Sequence, residues 1–357
     1  MNKWRKWVLN GILCMMGAAV LADLSGLGNH GKSLDGQQEE QRVGQSEEQP
    51  EGLRAIKGNT GLIETVGAML AAAGQGQQEA EAEKILGGAS LTFLANENNE
   101  QMLSAVIQTA AGGLIVVDGG LPQDADHLTD VLASKGGHVK AWLITHPHID
   151  HIGALNTILA REESRITIDK VYYSFAPVSH YEKDSKAEDI AVIRNFIHNL
   201  EVKLPEEKRD NKITKGTEIQ VDDVAITVLN RAFQAPVDSI NNSSVAYMIN
   251  VNGVYIDFLG DMGREGGDAL IDSWNTDELK CDILQMAHHG QNGVTEQVYK
   301  VFRPKICVWP TPQWLWDNDG GYGPGTGKYK TEATKKWMVD LGVKKHYCTK
   351  DGDQVIE

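Results

Sequence analysis

An apolar stretch that runs directly into a group of metal-binding side chains constrains this chain more than any other feature. Val139–Thr145 has the composition of a buried strand, and apolar residues with helical spacing resume at Ile152. Imidazole and carboxylate groups suit Zn²⁺ or a similar first-row ion. The turn between strand and helix therefore predicts a metal site with four candidate ligands: His146, His148, Asp150 and His151.

These four side chains are too crowded for one ion. Ligands only one or two residues apart on a loop cannot all converge on a single tetrahedral site, so the spacing favours two adjacent ions. We expect His146 and His148 to bind the first ion, and Asp150 and His151 the second. A polar, solvated turn is the alternative, but such turns rarely carry this many metal-competent groups at a strand end.

Other predicted strands also end in side chains that a metal centre uses. Because a carboxylate has two oxygens and a negative charge, we expect Asp261 to bridge the two ions. His288 continues its strand and is expected to complete the second ion, which leaves His289 for substrate contact or proton transfer. Asp118 is expected to accept the N–H of a ligand imidazole and fix its tautomer.

The order of the predicted elements indicates an α/β fold. Two groups of strands, each accompanied by helices, favour two sheets packed face to face with helices outside. The predicted strands are Leu91–Leu94, Met102–Gln108, Leu114–Val117, Val139–Thr145, Val171–Ser174, Ala225–Leu229, Ser244–Asn250, Val254–Leu259, Asp282–Ala287, Ile306–Trp309, Lys345–Cys348 and Gln354–Ile356. The predicted helices are Asp124–Ser134, one from Ile152, Ala187–Leu200, Gly267–Trp274, Thr295–Phe302 and Thr331–Leu341.

The N-terminal quarter differs in composition from the rest. Residues 1–22 have a basic start, an apolar centre and a small residue at Ala22, which is typical of an export signal. The apolar part is short for a membrane span, so we expect cleavage and no stable span afterwards. Residues 23–89 are rich in Gln, Glu, Gly and Ser and predict a disordered acidic linker. The folded domain that carries the metal site is then expected at 90–357, in a secreted or cell-envelope protein.

The net charge of the chain bears on the partners that it can bind. The formal net charge is −15, which disfavours long nucleic acid as a partner because like charges repel at long range.

Outside the signal segment, Cys281, Cys307 and Cys348 lie in or beside apolar runs without metal-type spacing. They predict buried free thiols, with one disulfide and one remaining thiol as the alternative.

Three motifs together resemble a known family. His146-x-His148-x-Asp150-His151, Gly260-Asp261 and His288-His289-Gly290 are similar to the metallo-β-lactamase-fold hydrolases from about Leu91 onward. The resemblance implies a four-layer αβ/βα sandwich with two divalent metal ions, Zn²⁺ first and Mn²⁺ or iron as alternatives. Within the superfamily, the chain is most similar to the hydrolase domain of DNA-uptake (competence) channel proteins. That similarity is in Asn241–Val245, Arg303–Lys305 and Thr349–Gly352.

One element of the family pattern is missing. Many members have a further His between the cluster and the bridging Asp as the third ligand of the first ion, but here that region reads Asp238-Ser-Ile-Asn-Asn-Ser-Ser244. His180 is the only upstream His that could substitute, and water or Asn242 could complete the ion instead. The first site is therefore expected to be the weaker one.

The residues and the resemblance together predict a metallohydrolase. Two ions would lower the pKa of a bridging water toward ~7 and supply hydroxide, so no Ser or Cys nucleophile is required. Asp150, Asp261 and His289 are the predicted catalytic residues. Phosphodiesters are the expected substrates by resemblance, either small or linked to a cell-surface polymer. A metal-binding member without catalysis, and a β-lactam or ester hydrolase, are the alternatives.

Two further features bear on the substrate. The loop from Trp309 to Trp316, followed by Tyr322, carries aromatic rings that either form a wall of the substrate pocket or pack onto the body of the domain. Arg264, just after Asp261, either pairs with a substrate phosphate or lies free on the surface.

Overall fold

Two β-sheets form the centre of the part of the chain that the computed structural model describes, residues 85–357. The strands of the first sheet are β1 (Ser90–Phe93), β2 (Ser104–Gln108), β3 (Leu114–Asp118), β4 (His138–Leu143), β5 (Thr167–Ile168), β6 (Val171–Tyr172), β7 (Arg209–Asp210) and β15 (Gln354–Ile356). The strands of the second are β8 (Glu218–Val221), β9 (Val224–Val228), β10 (Tyr247–Val251), β11 (Val254–Phe258), β12 (Ile283–Gln285), β13 (Ile306–Trp309) and β14 (Lys345–Cys348).

The helices lie between and after these strands. The α-helices are α1 (Ala125–Ser134), α2 (Ile149–Ala160), α3 (Val178–Tyr181), α4 (Ala187–Lys203), α5 (Ser239–Asn242), α6 (Arg264–Ser273), α7 (Glu296–Phe302), α8 (Gln313–Trp316) and α9 (Thr331–Asp340). Short 3₁₀ turns occupy Pro122–Asp124, Glu206–Lys208, Thr276–Leu279, Ala287–Gly290 and Thr349–Asp351.

Both sheets have the same plan, an antiparallel part joined to a parallel part. The first runs β15-β1-β2-β3-β4-β6-β7, with β5 also paired to β4, and becomes parallel from β3 onward. The second runs β14-β13-β12-β11-β10-β9-β8 and is parallel from β11 to β14. Parallel strands end at a common edge, and such edges are where α/β folds place their functional groups.

Three apolar layers hold the domain together. The inner faces of the two sheets pack on each other, and Phe93 stacks on Phe258 across the interface with ring centroids 5.5 Å apart. Trp142 on the outer face of the first sheet lies in one core with Leu155 of α2 and Phe196 of α4. The second sheet is covered in the same way by α7 and α9. The predicted four-layer αβ/βα sandwich is confirmed.

The element boundaries differ from the sequence prediction where short segments or polar contacts decide them. Strands β5, β7 and β8 were not predicted, because two to four residues give too little alternation to detect. Helix α2 begins at Ile149, so Asp150 and His151 lie in its first turn rather than on a loop. The three described cysteines are free and buried, as predicted.

The folded region begins slightly before the predicted boundary at residue 90. The Ile85 amide donates to the Glu357 carbonyl at 2.6 Å, and Leu86 is buried in the core between the sheets. The predicted signal peptide and all but the last residues of the predicted linker lie outside the described range, so these assignments stay predictions. None of the helices in residues 85–357 combines the length and apolar character that a membrane span requires.

One ionisable side chain lies in the core without a hydrogen bond. Asp257 on β11 is fully buried, and neither of its carboxylate oxygens has a hydrogen-bond partner among the described residues. Burial raises the pKa of Asp257 well above its usual value. The native state therefore keeps a proton on Asp257 that the unfolded state releases above a pH of about 4.

Asp257→Asn should change how stability depends on pH. Because the folded pKa is raised, wild-type stability is favoured at low pH and decreases as pH rises above the unfolded pKa, by about 1.4 kcal/mol per pH unit for one proton. The variant has no such proton, so its free energy of unfolding should rise relative to wild type as the pH increases above the unfolded pKa. Denaturant titrations at several pH values measure this difference. The exposed Asp223→Asn is the matched control, and parallel wild-type and Asp257→Asn curves would contradict the assignment.

Candidate metal centre

The predicted ligands meet where the two sheets approach each other at their parallel strand ends. Asp118 ends β3, the His146–His151 segment follows β4, Asp261 follows β11, and the His288-His289 pair follows β12. Asp118, His146, His151, Asp261 and His289 are each at most 1% exposed. Residues far apart in the sequence therefore form one buried polar cluster in an apolar fold.

One half of this cluster is a compact group of two carboxylates and two imidazoles. His151 Nε2 lies 3.2 Å from Asp261 Oδ1. His289 Nε2 lies 3.2 Å from Asp261 Oδ2 and 3.3 Å from Asp150 Oδ2. One ligand atom from each of Asp150, His151, Asp261 and His289 can be chosen so that all four lie within 4.8 Å of one another.

The other half has fewer ligands. His146, His148 and Asp261 form a second group within the same 4.8 Å limit, and His146 Nε2 lies 3.0 Å from His148 Nδ1. Asp261 is the one residue common to both groups, the position that a bridging carboxylate requires. No third imidazole joins His146 and His148 within residues 85–357.

Hydrogen bonds on the far side of two imidazoles aim their free nitrogens into the cluster. Asp118 Oδ2 accepts from His151 Nδ1 at 2.8 Å, and the Pro310 carbonyl accepts from His289 Nδ1 at 2.9 Å. An imidazole that donates from Nδ1 presents a lone pair at Nε2 when neutral. The expected role of Asp118, to fix a ligand tautomer, agrees with this contact.

Three buried atoms that make no hydrogen bond show that the residues fit a metal. His151 Nε2, His289 Nε2 and Asp261 Oδ1 make no hydrogen bond although each is fully buried in the described domain. Leaving such atoms unpaired costs roughly 1–3 kcal/mol each, more for charged groups. Together with an Asp150 oxygen, these atoms supply two nitrogen and two oxygen donors, a set that suits a divalent first-row ion.

Without metal, the charges in the cluster oppose the effect of burial. Burial raises carboxyl pKa values, yet the imidazoles of His289 and His151 hold the pKa of Asp261 well below its usual value. Burial lowers imidazole pKa values, yet Asp261 and Asp150 raise the pKa of His289 to about 9. For His146, burial prevails and its pKa is lowered well below the usual value. The carboxylates thus attract positive charge to the half that contains His289, while His146 stays neutral.

Comparison with known proteins agrees with this geometry. The model of the Metallo-beta-lactamase superfamily matches residues 100–304, more than half of the chain. The chain belongs to the metallo-beta-lactamase superfamily. No curated protein matches the sequence. The finer resemblance to DNA-uptake channel proteins is not confirmed by these matches and stays a prediction.

Several solved structures are similar to this one. The metallo-beta-lactamase fold protein YhfI from Bacillus subtilis is 12% identical, with 75% of this chain and 99% of that chain covered and a TM-score of 0.45. A diphosphatase from the PhnP family is 12% identical, with coverages of 75% and 97% and a TM-score of 0.41. MEM-A1, a subclass B3 metallo-beta-lactamase from a soil metagenome library, is 15% identical, with coverages of 71% and 90% and a TM-score of 0.38.

The geometry favours His289 over His288, the reverse of the sequence-based choice. His288 Nε2 is 3.8 Å from Asp261 Oδ2, and its Nδ1 lies 3.3 Å from the Asn292 carbonyl nearer the surface. Both residues have left-handed backbone, with φ of 51° and 54°, so the chain no longer alternates as a strand does. The assumption that His288 continues its strand is therefore wrong. The next residue must be glycine, because a Cβ at Gly290 would lie 2.5 Å from the Trp309 ring.

The Asn-Asn-Ser-Ser motif holds the bridging residue in place. Asn242 is fully committed, since its amide donates to Glu265 and Val237 and accepts from the Gly266 amide. The Asp261 amide donates to Ser244 Oγ at 3.2 Å. Gly260, with φ of 57°, allows this approach because a Cβ there would lie 2.7 Å from the Thr145 side chain. Asn242 is therefore held in place by hydrogen bonds of its own, and His180 belongs to neither ligand group.

A pair of glutamines beside the centre was missed at the sequence level. Gln101 Nε2 donates to Asp150 Oδ2 at 3.2 Å, and Gln291 Nε2 donates to Gln101 Oε1 at 3.2 Å. The pair links the segment before β2 to the segment after the His-His-Gly motif. Neither residue is a metal ligand or belongs to a motif, so no sequence signal could have found the pair.

Most of the aromatic loop packs against the domain. Trp309 is buried in β13, Trp314 Nε1 donates to the Asn99 carbonyl at 2.9 Å, and Lys335 Nζ lies 4.1 Å from the Trp316 ring centroid. Tyr322 differs, with 90% of its surface exposed. The packing alternative is thus correct for the three Trp residues.

Replacing each of the two adjacent histidines by Asn tests which of them is a metal ligand. For His289→Asn we expect metal content to fall by about one ion per chain, because an inner ligand with no substitute is lost. His288→Asn is the matched control and should keep its metal, since Asn also tolerates left-handed backbone at either position. Elemental analysis after dialysis measures both. Metal loss in His288→Asn alone would restore the original assignment.

Gln101→Leu should weaken metal binding without removing a ligand. The change leaves Asp150 Oδ2 without its amide donor, and loss of such an outer contact typically lowers metal affinity by about 10–100-fold. Competition with a fluorescent chelator measures the affinity. Gln291→Leu, which removes only the support of Gln101, should have a smaller effect. Equal affinities in wild type and Gln101→Leu would exclude the positioning role.

Proposed function

We propose that this protein is an exported, metal-dependent hydrolase of phosphodiester bonds. The observation that carries the proposal is the convergence of His151 Nε2, His289 Nε2 and Asp261 Oδ1, three buried atoms that make no hydrogen bond, within a superfamily that consists mostly of metallo-hydrolases. Divalent ions bound there would act as Lewis acids and provide a nucleophilic water near neutral pH. We propose two ions, with Zn²⁺ first and Mn²⁺ or iron as alternatives.

The side chains divide the remaining tasks. Asp118 and the Pro310 carbonyl keep His151 and His289 in the tautomers that present Nε2. Asp261, common to both ligand groups, is the proposed acceptor of the proton released when water attacks. We assign His289 to the ligands rather than to proton transfer, because its Nε2 lies 3.3 Å from Asp150 Oδ2 and 3.2 Å from Asp261 Oδ2.

The phosphodiester class rests on the resemblance to the hydrolase domain of DNA-uptake proteins. The net charge of −15 favours a small or polymer-linked phosphodiester over long nucleic acid. The predicted signal at residues 1–22 supports a location in the cell envelope or outside the cell.

The incomplete first site motivates a second candidate, a metal-binding member of the superfamily that has lost catalysis. His146 and His148 have Asp261 as their one further ligand among the described residues. Protein reconstituted with Zn²⁺ or Mn²⁺ should hydrolyse bis-p-nitrophenyl phosphate or p-nitrophenyl phosphorylcholine. Metal binding without turnover of either would favour this second candidate, and turnover of nitrocefin alone would favour a β-lactam hydrolase.

Asp261→Ala should abolish turnover while the fold is retained. The change removes the carboxylate common to both groups, so we expect kcat/KM to fall by more than about 100-fold, beyond the loss typical of outer-shell changes. Circular dichroism checks the fold, and the exposed Asp272→Ala is the control. A variant with full turnover would show that the bridging role is wrong.

A further inference from the structure

The segment between β1 and β2, residues 94–103, holds one of the proposed metal ligands from outside the ligand set. Its Leu103 amide donates to the Asp150 carbonyl at 3.1 Å, and Gln101 Nε2 donates to Asp150 Oδ2 at 3.2 Å. The segment therefore contacts both the backbone and the side chain of Asp150. How well Asp150 is placed then depends on how firmly the segment is itself fixed.

Asn96 fixes the conformation of this segment from within. Its Oδ1 accepts from the backbone amide of Asn98 at 2.8 Å and from that of Glu100 at 2.9 Å. These two hydrogen bonds close the chain into a turn that ends directly before Gln101. The same side chain also reaches out of the segment, because its Nδ2 donates to Asp124 Oδ1 at 2.7 Å.

Asp124 connects the turn to the helix that presents the ligand. It lies in the 3₁₀ turn Pro122–Asp124, which packs against α2 so closely that there is no room for a Cβ at Gly153. Asp150 belongs to the first turn of the same helix. The segment that carries Gln101 is thus tied to α2 at two places, directly at Asp150 and through Asp124.

The contacts of Asp124 suit a charged carboxylate. The residue is only 5% exposed, and its two oxygens accept from Asn96 Nδ2 and from the Leu121 amide, the latter at 2.8 Å. Burial raises the pKa of Asp124 to about 6, with Glu97 adding to this effect and the two hydrogen bonds and His127 opposing it. An amide or a protonated carboxyl in this place would present a donor where one of the two acceptor oxygens now lies.

We propose that Asn96 and Asp124 are positioning residues for the proposed metal ligand Asp150, on which they act through Gln101. The inference rests on the metal centre of the proposed function and does not depend on its substrate class. Neither residue makes a hydrogen bond to a proposed ligand within residues 85–357, so both would affect the metal by fixing the direction from which Gln101 donates. Outer contacts of this kind orient a ligand and raise metal affinity.

A double-mutant cycle on Zn²⁺ affinity tests whether the effect passes through Gln101. Asn96→Ala removes three side-chain hydrogen bonds, so we expect the Kd to rise by about three- to tenfold, less than the 10–100-fold typical of a direct outer contact. In the Gln101→Leu background the same substitution should change the Kd by less than about twofold, because the donor that it positions is already absent. Competition with a fluorescent chelator measures each Kd. The exposed Asn98→Ala, which keeps the backbone amide bound by Asn96, is the matched control.

Asp124→Asn supplies a second readout that simple loosening of the segment would not produce. Above the folded pKa of Asp124, about 6, the variant should bind Zn²⁺ more weakly than wild type. Below that pKa the wild-type carboxyl has gained a proton and lost the same acceptor, so the ratio of the two Kd values should fall toward one. Protonation of the metal ligands is common to both proteins and cancels in the ratio. A ratio that does not change with pH would contradict the role of the carboxylate.

The outcomes separate this inference from the proposed function. Equal Zn²⁺ affinities in wild type and Asn96→Ala, or the same loss in both backgrounds, would overturn the positioning role. Hydrolysis of bis-p-nitrophenyl phosphate by the metal-loaded wild type is measured in parallel. Turnover with an additive cycle leaves the phosphodiesterase and removes the positioning pair, whereas a non-additive cycle without turnover supports the pair and contradicts the phosphodiesterase.

Discussion

The buried carboxylate of Asp261 is the point on which both halves of the domain depend. A charge removed from water is costly unless opposite charge or a metal surrounds it. Here one sheet supplies Asp261 and His289, and the other supplies His146, His148, Asp150 and His151. Hydrogen bonds join the two sheets next to this point, since the Val245 amide donates to the Thr145 carbonyl at 2.8 Å. The cluster is therefore both the candidate reaction site and a polar connection between two apolar layers.

The residues around the cluster divide into those that face the proposed ions and those that aim them. Asp118, the Pro310 carbonyl and Gln101 each contact the outer side of a proposed ligand. Three residues at strand ends, Asp118, His288 and His289, also have left-handed backbone, a costly conformation that tends to persist where a site requires it. The precision of the centre thus comes as much from backbone geometry as from ligand chemistry.

The fold and most of the cluster could be predicted from the sequence, because His and Asp residues that follow apolar strand-like runs can be recognised there. It could not decide between His288 and His289, since the left-handed turn that rotates His289 inward leaves no periodic signal. It also could not find Gln101, whose contact with Asp150 depends on how two distant segments pack. Asn242 shows the reverse error: it lies in a motif and beside the site, but it makes hydrogen bonds to the Val237 carbonyl and to Glu265 and Gly266 of helix α6.

The pairing of β1 with both β2 and β15 determines where the chain enters the domain. Phe93 pairs with Ala105, and Ser104 pairs with Asp118, so β1 finishes at the edge that carries the metal centre. Ile85 and Leu91 are joined to Glu357 and Ile356 at the other edge. Any attachment made through residues before 85 would consequently hold the domain at the edge opposite the candidate metal centre. The edge that carries the candidate metal centre would then face away from that attachment.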